Sequence, residues 1–331
     1  MASPTTSKRE PAAPTVQQGR TLFYHLYTLF LFTCRDFKSV IFPGLSFSIA
    51  AVSASTATIN GSPVYTPSDI IAGLPLTFLW LWTNLLVLVV SNQRLPNAAL
   101  EDTVNRSWRP IPAGRLSPSE AHMLLWVALG SALAISLYLP APLELAALSI
   151  GLFVFSWLYS EADWGSKSII ARSTLTGVMA MLYNWGALLA LSGMSSSMQL
   201  TTQGAVWLAS TGGIMLTTIH STDIPDVGGD KASKRRTIPL AFGETIARAS
   251  VALSVVGWTL AGDALGTGGG QCTGPESARL AWTVPASLAV AIAAVTLGGW
   301  GKAWDKRVWT LSCAWMTVMN CMPAWDPCTM T

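Results

Sequence analysis

Nine stretches of mostly apolar residues recur along the chain. Each is near the roughly 20 residues a helix needs to cross a bilayer, so each predicts a spanning helix. They lie at 38–58, 71–92, 121–139, 142–160, 168–191, 203–221, 238–261, 281–300 and 307–323. Ahead of the first, "RTLFYHLYTLFLFTCRDF" places Leu22, His25, Leu29 and Phe32 near one face. That predicts an interfacial helix feeding the first span. Residues 1–20 are polar, with Pro and Ser, and read as a disordered tail. The remainder, 21–331, reads as one helical membrane domain.

Charge placement tests the segment count, because positive residues collect on the cytosolic side of a membrane protein. Numbering the connections alternately puts 19 of the 20 basic residues on one side; the other keeps only Arg279. A wrong count would scramble that alternation. The predicted topology therefore has nine spans, a cytosolic N-terminus and a C-terminus on the opposite face. The Gly-rich "GDALGTGGGQCTGPE" falls on the opposite face and reads as a flexible loop.

Composition agrees. The chain has 331 residues, 51% of them hydrophobic and 11% charged, against about 25% charged in soluble domains. Its mean hydropathy is +0.44. The expected class is an all-α, multi-pass integral membrane protein: a bundle of about nine helices around a central apolar pocket, capped by polar cytosolic connections. Its location is expected to be the endoplasmic reticulum or another internal membrane. Cys34, Cys272, Cys313, Cys321 and Cys328 have neither zinc-site nor CxxC spacing and read as free thiols. Membrane lipid is an expected partner and nucleic acid is not; the sequence leaves the oligomeric state open.

Acidic residues contribute little to membrane orientation, so those in two cytosolic connections need another reason. The sixth connection contains Asp223, Asp226 and Asp230, in the pattern D-x-x-D-x-x-x-D. That spacing would bring them to one helix face, although Pro225 and Gly228–Gly229 argue that the helix ends or frays there. Carboxylates gathered so closely repel unless a cation sits among them. Mg²⁺ suits oxygen ligands and substrate phosphates. A solvated acidic loop is the competing reading. The second connection repeats the theme with Asn92, Asn97, Glu101 and Asp102, all hard oxygen donors. Arg109 and Arg115, on the rigid "RPIPAGR" turn, offer forked donors to phosphate; topology alone would also explain Arg115.

These residues resemble the UbiA superfamily of intramembrane prenyltransferases. "DIPDVGGDKASKRRTIPLAFG" is similar to that family's second aspartate motif, and "RPIPAGRLS" to the turn that follows its first. "LYSEADWGSK" (158–167) resembles a Tyr-Ser segment preceding a lysine. The first motif departs from the family pattern. Gln93 stands where aspartate is common, Asn97 falls near the next aspartate, and Glu101 or Asp102 must supply the last. The resemblance implies a nine-helix fold, Mg²⁺ as cofactor, a polyprenyl diphosphate as substrate, and Lys167 as a diphosphate contact. Catalysis would rest on Asp223, Asp226, Asp230, Asn92 and Glu101. Arg109, Lys167, Lys231, Arg235 and Arg236 would hold diphosphate.

Within that superfamily, the altered first motif resembles a branch that makes terpenes without an acceptor. The expected function is ionisation of a farnesyl- or geranylgeranyl-type diphosphate, followed by intramolecular cyclisation of the allylic cation. An acceptor-dependent prenyltransferase is the alternative. A lipid carrier is a third reading, but a carrier has no need of metal-binding carboxylates on one face. Cyclisation needs a dry pocket with π faces, and Phe153, Phe155, Trp157, Tyr159, Tyr183 and Trp185 are candidates beside ordinary packing roles. Asn184, deep in the fifth span, reads as either a helix–helix hydrogen bond or a pocket residue.

Overall fold

The computed structural model describes residues 19–61, 64–193, 199–267 and 276–321. The chain begins with α1 (Leu22–Thr33), a π-helical turn (Phe37–Ile41), α2 (Phe42–Ser53), α3 (Ser55–Thr58) and the two-residue strand β1 (Ile59–Asn60). Next come α4 (Pro67–Gln93), α5 (Pro96–Asn105), α6 (Pro118–Tyr138), α7 (Pro142–Ser160), α8 (Trp164–Lys167) and α9 (Ile169–Ser192). After β2 (Gln199–Leu200) follow α10 (Thr202–Thr218), a 3-10 turn (Ile219–Thr222), α11 (Val227–Ala232) and α12 (Ile238–Phe242). Three long helices close the sequence: α13 (Glu244–Thr267), α14 (Glu276–Gly298) and α15 (Lys302–Cys321).

Every apolar stretch predicted above coincides with a helix or with a helix that breaks. The first breaks at Ala54. The seventh breaks at Gly243, whose φ of +87° belongs to the region that favours glycine, so α12 is separate from α13. Among the described residues, five helices are long and apolar enough to cross a membrane: α4, α6, α7, α9 and α13. Phe37–Ser53 and Trp282–Gly298 are shorter apolar segments, and α10 has 17 residues. The interfacial-helix stripe on α1 passes from exposed (Leu22, His25) to buried (Phe32), so the helix runs into the body as it proceeds. Most of the expected 1–20 tail, much of the Gly-rich connection, Cys272 and Cys328 lie outside the described residues; Cys34, Cys313 and Cys321 are free thiols.

Local chemistry sets the helix starts. Thr66-Pro-Ser-Asp69 and Ser117-Pro-Ser-Glu120 each form a reciprocal capping box, with proline at the first helical position of α4 and α6. Helices α4 and α9 form the centre, with 56% and 61% of their most apolar windows buried; the corresponding figure for α6, α7 and α13 is 28%. Trp80 of α4 is fully buried, and any side chain at Gly186 of α9 would overlap its ring. Its indole donates to Ser136 Oγ at 3.0 Å, which in turn lies 2.9 Å from Ser149 Oγ, so small polar residues knit α4, α6 and α7.

Two apolar clusters result, one from the elements up to α9 and one chiefly from α10 and α13–α15. The ends of α4, α7 and α10 and the starts of α6, α9 and α13 share one end of the bundle with α5 and α11. At the other end β1 pairs antiparallel with β2, Ile59 opposite Leu200.

Candidate active site

The first half of the site is the α4–α6 connection. Pro96 opens α5, whose first turn leaves Asn97 exposed at the rim. The second half of the helix carries Glu101 and Asp102 into the body, 7% and 1% exposed. A turn follows, in which the Arg106 N–H donates to the Asp102 carbonyl and the Arg109 N–H to the Arg106 carbonyl. It buries both guanidinium groups. Arg109 Nη1 lies 2.9 Å from each Asp102 oxygen.

The second half is the α10–α12 connection. Pro225 keeps Asp223 and Asp226 on a turn, and the helical spacing resumes only at Val227, so Asp230 alone of the three is within α11. All three are buried. Gly229 lets α11 approach α5: a Cβ there would overlap the Asn105 side chain and sit 3.0 Å from the Glu101 carbonyl. Asn105 Nδ2 donates to the Asp226 carbonyl at 3.2 Å.

Arginines interleave with the carboxylates of both halves. Arg106 pairs with Asp226, and Arg172, at the start of α9, pairs with Asp223. Arg35 lies 3.6 Å from Asp226. Arg235 reaches Glu101 at 2.6 Å and Asp230 at 3.8 Å. Tyr159 Oη accepts from Arg172 at 3.0 Å and from Arg235 at 2.8 Å.

The charges act on one another. Burial pushes Asp230 up from the ordinary 3.8 to about 7, reinforced by Asp223 and Glu101. Burial likewise raises Asp223 despite Arg172. Glu101 is also buried, yet Arg235 and Arg106 hold it below the usual carboxylate range. Burial, then crowding by Arg106 and Arg109, lowers Arg35 to about 10.

These residues line one cavity with about 1380 Å³ of unfilled space, its open mouth included. The mouth holds six carboxylates (Asp36, Glu101, Asp102, Asp223, Asp226, Asp230) and five guanidinium groups (Arg35, Arg106, Arg109, Arg172, Arg235). The floor runs along the seam between the two apolar clusters, through residues such as Leu88, Met179, Ile214 and Met316. A pocket of this kind, apolar below and polar at one end, suits an amphiphile with a charged head.

The site's donor chemistry fits a hard divalent cation bound with an anion. Asp230 Oδ2 and Gln93 Oε1 are buried oxygens with no hydrogen-bond partner. The Nε–H groups of Arg109, Arg172 and Arg235 are buried donors with none. Unspent acceptors call for a cation and unspent donors for an anion. The expected convergence of Asp223, Asp226 and Asp230 takes a different form here. Among the described residues, no three acidic, His or Cys side chains gather closely enough to hold a metal ion, because guanidinium groups stand between them.

The structure sorts the remaining expectations. Asn92 lines the cavity, as do Glu101, Asp102, Arg109, Arg235 and the three aspartates. Asn97, Lys167, Lys231 and Arg236 do not reach it and are exposed. Lys167 instead lies 3.4 Å from Asp163. Lys231 follows the buried Asp230 by one helical step, about 100° around the axis, and so faces outward. Arg236 follows Arg235 in irregular backbone, its N–H tied to the Ser166 carbonyl at 2.8 Å. Arg115 turns away as well, stacking over Tyr24 at 4.1 Å and donating to Thr28 Oγ1 at 3.0 Å, which fastens α1. Of the aromatic candidates, Tyr159 and Tyr183 line the cavity; Phe153, Phe155, Trp157 and Trp185 do not, whereas Trp309 does.

Sequence reasoning missed Arg35, Asp36, Arg106 and Arg172 as site residues. A signal existed: Arg35-Asp36 interrupts an otherwise apolar stretch, and Arg172 sits one turn inside a span, where charge is costly without a role.

Comparison with known proteins places this arrangement. The UbiA prenyltransferase family model matches residues 99–319. The fumagillin β-trans-bergamotene synthase of Aspergillus fumigatus is 27% identical over 308 residues, covering 90% of each chain. A polyprenyl transferase of Hericium erinaceus is 30% identical, covering 65% of this chain and 68% of its own. A UbiA homologue from Archaeoglobus fulgidus, solved with GPP and Mg²⁺, superposes with a TM-score of 0.58 at 13% identity, covering 89% of this chain and 99% of its own. The cavity, its two motif connections and these matches agree: the chain belongs to the UbiA prenyltransferase family.

Proposed function

We propose that the protein is a Mg²⁺-dependent terpene cyclase that acts within the membrane on a polyprenyl diphosphate of the farnesyl or geranylgeranyl type. The observation that carries this reading is one cavity that is charged at its mouth, with unspent donors and acceptors, and apolar along its floor. Six carboxylates against five guanidinium groups leave the mouth without a surplus of positive charge. A diphosphate is therefore welcome only with a cation. Asp223, Asp226, Asp230, Glu101 and Asp102, with the amide oxygens of Asn92 and Gln93, would hold Mg²⁺. When bound, it would neutralise the diphosphate and improve it as a leaving group.

The protein's own groups do the rest. Arg109, Arg172 and Arg235, with Arg35 and Arg106, orient the phosphate oxygens and stabilise the charge that develops on them. The apolar floor excludes water from the allylic cation once the C1–O bond has broken and its electron pair has left with diphosphate. With no acceptor present, an alkene of the same chain supplies the electron pair. The near full-length match to a bergamotene synthase supports the cyclase over the transferase. The mouth is proposed to face the cytosol, from the placement of basic residues.

The transferase alternative has an observation of its own, the 30% identity to a polyprenyl transferase. One experiment separates them. Membranes containing the protein are incubated with farnesyl or geranylgeranyl diphosphate and Mg²⁺ without acceptor, and products are identified by gas chromatography. A hydrocarbon or terpene alcohol supports the cyclase. Diphosphate release that requires an aromatic or other small acceptor sinks it. Asp223→Asn should lower turnover by at least about 100-fold in either case.

A further inference from the structure

Asn184 is 4% exposed, lines the cavity and makes no hydrogen bond among the described residues. It lies 12 residues beyond Arg172 on α9, about 18 Å further along the helix axis. Three other polar side chains that line the cavity each make a hydrogen bond. Tyr183 Oη donates to the Asn84 carbonyl at 3.0 Å, Asn320 Nδ2 to the Pro43 carbonyl at 3.1 Å, and Thr211 Oγ1 to the Leu208 carbonyl at 2.8 Å. The cavity lining also includes the apolar Met179, Ala180, Ile214, Met215 and Met316.

An amide in that position is expensive. Buried polar groups are almost always paired, and a membrane-embedded asparagine ordinarily earns its place by bonding a neighbouring helix. Asn184 bonds none. A leucine has the same branched shape and carries no desolvation penalty.

Resting on the cyclase reading, we propose that Asn184 is a product-determining residue, whose amide dipole faces the isoprenoid and stabilises positive charge that has moved away from the diphosphate. The C1–O bond breaks and its pair leaves with diphosphate. The pair of a distal alkene forms the new bond to C1, and the positive charge passes to the alkene's other carbon. That carbon is held in the apolar part of the pocket, where Asn184 presents an amide with neither end spent. Its carbonyl end lowers the energy of the cation that forms there. Asn184 transfers no proton and forms no bond.

The test compares wild-type protein and N184L in membranes, with farnesyl or geranylgeranyl diphosphate, Mg²⁺ and no acceptor. Diphosphate release, product distribution and the Tm of the purified protein are measured. N184L should release diphosphate at a rate within about threefold of wild type, since ionisation occurs at the mouth. The ratio of the principal cyclic product to early-quenched products should fall about tenfold. The Tm should rise, because an unpaired buried amide is gone. An unchanged product ratio overturns the proposal. So does a folded N184L that no longer releases diphosphate, which would assign Asn184 to substrate placement, or a lowered Tm, which would reveal a lost partner. If N184L does not accumulate, N184A is read by the same ratio. A wild-type protein that yields no product without an acceptor removes the cyclase reading itself, before any variant is compared.

Discussion

Arg235 Nη1 lies 2.6 Å from Glu101 Oε2, joining residues 134 apart in the chain, one from each acidic connection. Both side chains are at most 10% exposed. The pair holds the two halves of the site together, and Arg235, with Arg106, keeps Glu101 below the usual carboxylate range against the upward push of burial. Removing one partner strands the other, which in buried pairs costs about 3–5 kcal/mol. E101Q is therefore expected to lower the Tm sharply, and E101Q/R235Q to recover most of it. Neither should regain activity, since both charges are wanted at the mouth. Thermal melts and turnover assays of the full double-mutant cycle check this.

Asp230 carries a pH dependence whose sign follows from its raised value. In the unfolded chain it ionises near 3.8, and in the folded protein near 7. Between those values the folded state holds one more proton, so stability falls as pH rises through that window. Metal-free protein should thus melt at lower temperature at pH 8 than at pH 5, and D230N should flatten the difference. Mg²⁺ should restore the Tm at pH 8 and release a proton on binding near pH 6.5. Melts with EDTA or Mg²⁺ across pH 5–8 decide it.

The two arginines of the "RPIPAGR" turn are expected to behave differently. Arg109 faces Asp102 in the cavity, whereas Arg115 stacks on Tyr24 and Tyr27 of α1. R109K should lower kcat/KM by at least about tenfold, because a lysine keeps the charge but has no planar fork of donors to offer phosphate oxygens beyond Asp102. R115K should cost about 1 kcal/mol of stability with turnover nearly unchanged.

Lys167, Lys231 and Arg236 stand outside the cavity and exposed. Their alanine variants should leave KM for the prenyl diphosphate within about twofold at physiological salt, because exposed charges are screened. R172A and R235A should raise it by an order of magnitude or more. Steady-state kinetics on the five variants tests the assignment.

Gly229→Ala is a small change with a large expected effect. The added methyl would press α11 away from Asn105 and the Glu101 carbonyl, shifting Asp226 and Asp230 relative to Glu101. Activity should fall by about 100-fold, as misplacement of about 1 Å does in other sites. Gly228→Ala, with only Val104 nearby at 3.9 Å, should be tolerated. The ratio of the two activities is the readout.

The helices and the identity of the two acidic connections were legible in the amino-acid pattern. Whether a segment is apolar enough to leave water is a property of its own residues, summed over about 20 positions. Capping boxes such as Thr66–Asp69 are local for the same reason. Asp223, Asp226, Asp230, Glu101 and Arg109 could be singled out because charge beside an apolar run is conspicuous in one dimension. What tertiary structure decided is which charges turn inward. Lys231 and Asp230 are neighbours in sequence and point about 100° apart on a short helix, and the inward choice depends on what waits across the gap. For Asp226 that is Arg106 and Arg35, 120 and 191 positions away. A buried charge persists only where a partner meets it, and that partner comes from another part of the chain.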